Sequence, residues 1–252
     1  AAPSGKMTLR HVDLCVIGAG PAGLSVAAGA AQMGASVALI EHGKMGGDED
    51  GRGAGERLAV DPNLGSVVMW AGTRWDSVCW GCAVQDTWRR GALWKSSNRA
   101  ASFDSVASGP AGNGLYVVFD PSTGTPGTAT KTIYASFDSS NAGAPAIWRS
   151  KDAGATWALL PGQPTGLISN HATVAGSNVF FSFCNGLGPN GVTGGAVWRY
   201  NTSDSSWADI SPVKNATFGF GTVSAYSKDP SRLVVSSVDF WNKDEIWLST
   251  DT

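Results

Sequence analysis

From residue 58 onward, short apolar runs alternate with turns rich in Gly, Asp, Pro and Ser, and the runs repeat. Four of them carry a Trp: Leu93-Trp94-Lys95-Ser96, Ile147-Trp148-Arg149-Ser150, Val197-Trp198-Arg199-Tyr200 and Ile246-Trp247-Leu248-Ser249. These Trp residues are 54, 50 and 49 residues apart, and after the first three a second aromatic follows nine residues later, at Phe103, Trp157 and Trp207. In the second repeat the two aromatics flank Ser150-Lys151-Asp152-Ala153-Gly154-Ala155-Thr156, an S-x-D-x-G-x-T box closed by Trp157. Asp supplies a side-chain hydrogen bond and Gly a positive φ, so the box predicts a hairpin turn with Trp157 opening the return strand.

Each repeat has a second half. Leu58-Ala59-Val60-Asp61-Pro62 leads to Val67-Val68-Met69-Trp70. Tyr116 to Pro121 leads, through a longer loop, to Thr132-Ile133-Tyr134-Ala135, and Val223 to Pro230 leads to Leu233-Val234-Val235-Ser236. Asp-Pro places a turn between two strands. The third repeat uses Val174-Ala175-Gly176-Ser177-Asn178-Val179-Phe180 instead. A period near fifty residues with several short strands per repeat predicts propeller blades. The expected fold is mainly β: a partial β-propeller of about four antiparallel blades over residues 51–252. The Trp residues are expected to wedge blade against blade, each burying a large apolar area.

Residues 1–50 follow a different pattern. Val12 to Ile17 reads as a buried strand, Gly18-Ala19-Gly20-Pro21-Ala22-Gly23 follows at once, Leu24 to Met33 reads as a small-residue helix, and Ser36 to Glu41 as a second strand. In a G-x-G-x-x-G fingerprint Gly18 makes the tight turn, Gly20 lets a pyrophosphate approach, Gly23 packs helix on strand, and Glu41 accepts ribose hydroxyls. Residues 9–48 resemble the start of the flavoprotein disulfide reductases, such as dihydrolipoamide dehydrogenase and mercuric reductase. The resemblance implies a truncated Rossmann-like segment that binds FAD. Where that family places a redox-active Cys, Glu49-Asp50 stand here. Two strands and one helix bury too little surface to stand alone. The expectation is that no cofactor is held, with an FAD-binding oxidoreductase as the alternative function.

Composition adds limits. Charged residues are only 15% and glycines number 33, which suits turn-rich β structure, and the net charge of −2 gives no electrostatic case for nucleic acid or an anionic membrane. No apolar run reaches membrane-spanning length, and Ala1 to Lys6 lacks the apolar core of a secretory signal. Cys15 and Cys184 lie in apolar runs and are expected as buried thiols. Cys79-Trp80-Gly81-Cys82 lacks the strand–helix context of a redox dithiol and a second pair for zinc, so no metal site is expected. Asn201-Thr202-Ser203 and Asn215-Ala216-Thr217 are glycosylation sequons and lean towards secretion.

From Gly51 the run Gly51-Arg52-Gly53-Ala54-Gly55-Glu56-Arg57-Leu58-Ala59-Val60-Asp61-Pro62 closely resembles a signature of family-74 glycoside hydrolases, the xyloglucan-cleaving endoglucanases. The likeness continues through Ala71-Gly72-Thr73-Arg74, Leu93 to Ser96, the box at Ser150, Pro161-Gly162-Gln163-Pro164, Gly188 to Thr193, Val197 to Tyr200 and Leu233 to Trp241. It implies a secreted protein whose partner is plant cell-wall xyloglucan or another β-1,4-glucan. Phe240 and Trp241 fall where the family carries sugar-stacking aromatics, and His171 and Arg74 are further loop candidates for substrate binding. The family's two catalytic Asp positions fall before the Gly51 signature and beyond Thr252, so no catalytic residue is assigned. Trp75 to Gly91 reads as an insertion. The chain thus resembles a flavoprotein start joined to a xyloglucanase propeller fragment that retains a glucan-contacting surface. A non-catalytic box-bearing propeller that binds partners is the third reading.

Overall fold

The computed structural model describes residues 11–17, 21–40, 57–72, 92–110, 113–138, 146–186, 192–226, 229–238 and 245–250. Contacts divide the chain into two compact units, Ala1–Gly53 and Ala54–Thr252.

In the first unit β1 (Leu14–Ile17) pairs in parallel with β2 (Val37–Ile40), and α1 (Pro21–Gln32) connects them. Pro21 opens the helix where its missing N–H costs nothing, and Gly34 ends it at φ 88. Ser36 donates to Asp13 Oδ2 from its backbone N (2.8 Å) and its hydroxyl (2.7 Å), and these bonds hold the Asp13 carboxyl below its ordinary range. Cys15 is exposed, against the sequence expectation. Among the described residues of this unit one helix packs with the two strands.

The second unit is four consecutive antiparallel sheets. Blade 1 is β3 (Arg57–Val60), β4 (Val68–Gly72), β5 (Ala92–Ser96) and β6 (Asp104–Ser105). Blade 2 is β7 (Asn113–Phe119), β8 (Ile133–Asp138), β9 (Ile147–Ser150) and β10 (Ala158–Leu159). Blade 3 is β11 (Ile168–Ala175), β12 (Asn178–Cys184), β13 (Gly195–Asn201) and β14 (Trp207–Asp209). Blade 4 shows β15 (Gly219–Tyr226), β16 (Asp229–Val238) and β17 (Ile246–Ser249). First strands of successive blades touch, β3 on β7, β7 on β11 and β11 on β15, so they line the inner edge of the array. This is the blade order that the Trp spacing predicts.

The core sits between blades rather than within them. Met69 and Leu93 of blade 1 meet Val117, Ile133 and Phe137 of blade 2. Tyr116, Tyr134 and Ile147 of blade 2 meet Phe181, Phe183 and Tyr200 of blade 3. Phe180 and Val197 of blade 3 meet Phe220, Val223 and Leu233 of blade 4. Phe180 and Phe181 face opposite neighbours because successive strand residues point to opposite sheet faces. Trp148 and Trp157 pack at the first interface, Trp198 and Trp207 at the second and Trp247 at the third, each a wedge as expected. Trp94 differs: it stacks on Trp70, its cross-strand partner, with ring centroids 6.2 Å apart. Its indole nitrogen is buried without a hydrogen-bond partner.

The box turn forms as its residues dictate. Ser150 Oγ donates to Asp152 Oδ1 and accepts from Gly154 N, both at 2.8 Å, while Asp152 accepts from the Thr156 backbone N at 2.8 Å and its hydroxyl at 2.6 Å. Ala153 and Gly154 take φ values of 57 and 87. Blade 1 builds the same turn with Ser96, Asn98 and Ser102 in place of Ser, Asp and Thr. Asp61 of the first Asp-Pro turn is buried and accepts from Asn63 N and Leu64 N in its own turn and from Thr130 N (2.8 Å) and Thr130 Oγ1 of blade 2, so it ties two blades together.

Candidate functional site

In a meandering four-stranded blade the first-to-second and third-to-fourth turns share one end. The second-to-third connections, and those to the next blade, share the other. The box turns and Asp-Pro turns therefore occupy one end of the array. The opposite end receives the connections after Gly72, Asp138, Cys184 and Val238. Of the sequence candidates, Arg74 follows β4 in the chain, and Phe240 and Trp241 follow β16. All three lie outside the described residues. So do the Trp75 to Gly91 insertion and Cys79 and Cys82.

His171 is described, and it is on strand β11 rather than in a loop. A β-bulge explains the difference. β11 shifts register between Ser169 and His171, which leaves Asn170 as the extra residue. The same defect recurs in β7 between Gly114 and Tyr116, and in β15 between Phe220 and Thr222. In each case the extra residue, Leu115, Asn170 or Gly221, is the third of its strand. Bulges bend a strand and re-aim the side chains beside it, and they concentrate at barrel rims and sites. Here they form a row at the candidate end of the inner strands.

Polar contacts run along that row. Tyr116 Oη and Ser169 Oγ are 2.7 Å apart, and Ser136 Oγ donates to Ser169 O at 3.0 Å. Ser182 Oγ donates to Gly221 O at 3.3 Å and Asn170 Nδ2 to the same carbonyl at 3.4 Å. Val223 N donates to His171 Nδ1 at 3.5 Å, an orientation in which a neutral imidazole keeps its proton on Nε2. Gly221 is required, because a Cβ there would stand 2.5 Å from Val238 Cγ2. Half-buried His171 is thus held against the inner strand of the next blade. The bulges were not legible in the sequence: Leu115, Asn170 and Gly221 share no residue type.

The links to the next blade at this end are clamped by side chains. Buried Gln163 accepts from Ala146 N and Ile147 N and donates to Ile147 O and Leu160 O, all within 3.0 Å. Ser211 does the same for Val197 in blade 3, accepting from its N at 2.9 Å. Cys184, buried as expected, donates to Phe220 O at 3.2 Å, and burial pushes its thiol up to about 12. It is an inert packing thiol.

The acids of the turns are committed to backbone N–H and hydroxyl donors. Hydrogen bonds from Thr156, then Ser150, hold Asp152 down at about 2, and Ser231 holds Asp229 below its ordinary range. Asp120 accepts from Ser122 N and Oγ. Among the described residues no cluster of three or more His, Cys, Asp or Glu is placed to hold a metal ion, and no helix is long and apolar enough to cross a membrane. Of the fingerprint residues only Gly23 is described, in the first turn of α1; Gly18, Gly20 and Glu41 are outside the described residues.

No protein-family model matches the sequence. The chain is similar to a xyloglucanase of Paenibacillus, 34% identical over 225 residues that cover 81% of this chain and 20% of the relative. It is also similar to a xyloglucanase of Hypocrea jecorina, 33% identical over 233 residues covering 83% of this chain and 26% of that one. The chain therefore spans about a quarter of the length of the curated relatives it matches. Among solved structures it is similar to the family-74 xyloglucanase of Xanthomonas campestris, with TM-score 0.63, 30% identity, and coverage of 82% of this chain and 30% of that one. The family-74 enzyme of Niastella koreensis matches with TM-score 0.62 and 28% identity over 79% of this chain and 28% of its own. Sequence and fold both relate the blades to glycoside hydrolase family 74. The comparisons give the flavoprotein resemblance of residues 9–48 no support.

Proposed function

We propose that this chain is a propeller segment of a xyloglucan-degrading glycoside hydrolase, an endo-β-1,4-glucanase, whose bulged blade ends form one wall of a glucan-binding surface. The observation that carries the reading is the joint likeness in sequence, 34% over 81% of the chain, and in fold, TM-score 0.63, to xyloglucanases. On this reading Phe240 and Trp241 stack on sugar rings, Arg74 and His171 donate to sugar hydroxyls, and the protein works outside the cell on plant cell-wall polysaccharide.

Cleavage is a separate matter. Glycoside hydrolysis usually needs two carboxyl groups flanking the scissile bond, about 6.5–9.5 Å apart when the anomeric centre inverts. One must be protonated to act as acid. Asp152 and Asp229 are displaced towards lower pKa, the wrong direction for that role. Asp61 and Asp120 are buried in turns. The chain by itself is therefore expected to hold xyloglucan without cutting it.

Reducing-end release from xyloglucan by the purified chain tests this. No turnover is expected. Turnover that vanishes with Asp239→Asn or Glu245→Gln would overturn it and identify an acid pair beside the Phe240-Trp241 aromatics.

A further inference from the structure

The other end of the blades holds a feature that the glucan reading does not use. An open trough of about 860 Å³ lies between blades 2 and 3, walled by the 120–132 connection on one side and by Thr202 and Ser205 of the turn between β13 and β14 on the other. Tyr134 and Arg149, cross-strand partners on β8 and β9, lie along it. Tyr134 is buried and Arg149 half-buried. Arg149 Nη1 donates to Tyr200 Oη at 3.0 Å, and that hydroxyl donates to Ser205 Oγ at 3.2 Å, so the guanidinium is fixed in place. Lys131 and Lys151 stand exposed beside it.

The charge balance is one-sided. The ion pairs of the described residues are Lys214 with Asp209 and Arg232 with Asp229, so Lys131, Arg149 and Lys151 have no carboxylate partner there. Asp120 is the one acid that lines the trough, and its buried carboxylate accepts from Ser122. Burial, then the charge of Asp120, pushes the Tyr134 phenol upward, so it stays a neutral hydroxyl.

Nor is the trough a general property of the repeat. In blade 1 the residue matching Arg149 is Lys95, and its ammonium is spent on Ala153 O at 2.8 Å. The matching connection in blade 1 is only 61–67. Blade 2 alone, among the described residues, combines the long wall with a guanidinium that lines the trough.

From this we infer that the trough between blades 2 and 3 is a binding site for an acidic sugar: an oxyanion, carboxylate or sulfate ester, carried on a hydroxyl-rich ring. A guanidinium pairs an oxyanion through two parallel hydrogen bonds, and the flanking ammonium groups add charge. The Ser and Thr rim suits ring hydroxyls, and the volume lies in the range of small-ligand sites. The site is on the opposite end from the proposed glucan wall, and xyloglucan is neutral, so the two readings stand or fall separately.

The test titrates the full chain with digalacturonate, a sulfated disaccharide and neutral cellobiose, following amide shifts at low and at physiological ionic strength. Binding of an acidic disaccharide is expected, with shifts at Thr125, Lys131 and Ser205 and weakening as salt rises. Binding of digalacturonate alone marks carboxylate as the source, and of the sulfated sugar alone marks sulfate ester. Replacing Lys131→Gln and Lys151→Gln together should lower affinity about tenfold, whereas Lys214→Gln, outside the trough, should leave it unchanged. Both lysines are exposed, and unaltered thermal unfolding checks that the variants fold. Equal binding of cellobiose, no binding of either acid, or an unchanged double variant would overturn the site. Displacement by inorganic sulfate at the same concentration as the sugar acids would overturn it too, by showing an adventitious ion only.

Discussion

The blade 2–3 interface and the β1–α1–β2 unit show what stacking does for short strands. Between the blades Phe181, Phe183, Tyr134 and Tyr200 are all essentially inaccessible, with Trp207 closing over them, its ring 4.9 Å from Tyr200 and 5.4 Å from Phe181. In the first unit Met33 is 84% exposed and Cys15 faces solvent. Both regions have apolar strands of similar residue types. The difference is that a repeat supplies each sheet with a second sheet of matching shape, whereas among the described residues of the first unit two strands have one helix. Burial scales with the faces that are covered, not with how apolar the sequence reads.

The largest test of that contrast removes a ring from the interface. Phe181→Ala should destabilise the propeller unit by about 3–5 kcal/mol in denaturant unfolding, because neighbours from two sheets cannot collapse into the void. Val16→Ala in the first unit should move the same transition by less than about 0.5 kcal/mol. Equal shifts would merge the two regions into one cooperative block and break the comparison.

Next in size is the Gln163 clamp. Gln163→Leu keeps the volume but strands the Leu160 carbonyl and the Ala146 and Ile147 amides, while the Ile147 carbonyl keeps its bond from Leu160 N. The expected cost is about 1–3 kcal/mol for each group left unsatisfied, with faster hydrogen exchange at Ile147. Gly221→Ala should cost about 1–3 kcal/mol by overpacking against Val238, confined by hydrogen exchange to blades 3 and 4.

The blades were legible because a fifty-residue period in Trp is a long-range signal that local ambiguity does not erase. The Asp box was legible because its residues bond one another. Asp61 was read as a turn residue, yet its carboxylate also reaches Thr130, a contact set by how blades meet and invisible along the chain. His171, expected in a loop, is on strand β11, and the bulge at Asn170 beside it is not legible along the chain. Of the candidate site only His171 is among the described residues; Arg74, Phe240 and Trp241 lie outside them.

The smallest expected effect is on pH. Hydrogen bonds depress Asp152 from 3.8 to about 2, and a group depressed on folding stabilises the fold above its unfolded pKa and loses that contribution as pH falls through its folded pKa. Stability should therefore be flat above about pH 5 and decline between about 4 and 2. Asp152→Ala should flatten that decline slightly. Asp13, Asp204 and Asp229 are depressed as well, so the slope should shrink without vanishing.

The central claim is that the bulged end of these blades contacts glucan, and affinity electrophoresis of the intact chain through gels containing xyloglucan tests it most directly. The account predicts retardation that rises with xyloglucan concentration, is lost in Trp241→Ala and is unchanged in Lys131→Gln, whose side chain is at the opposite end. Migration indifferent to xyloglucan would contradict it, as would retardation that survives Trp241→Ala, Phe240→Ala and His171→Ala together.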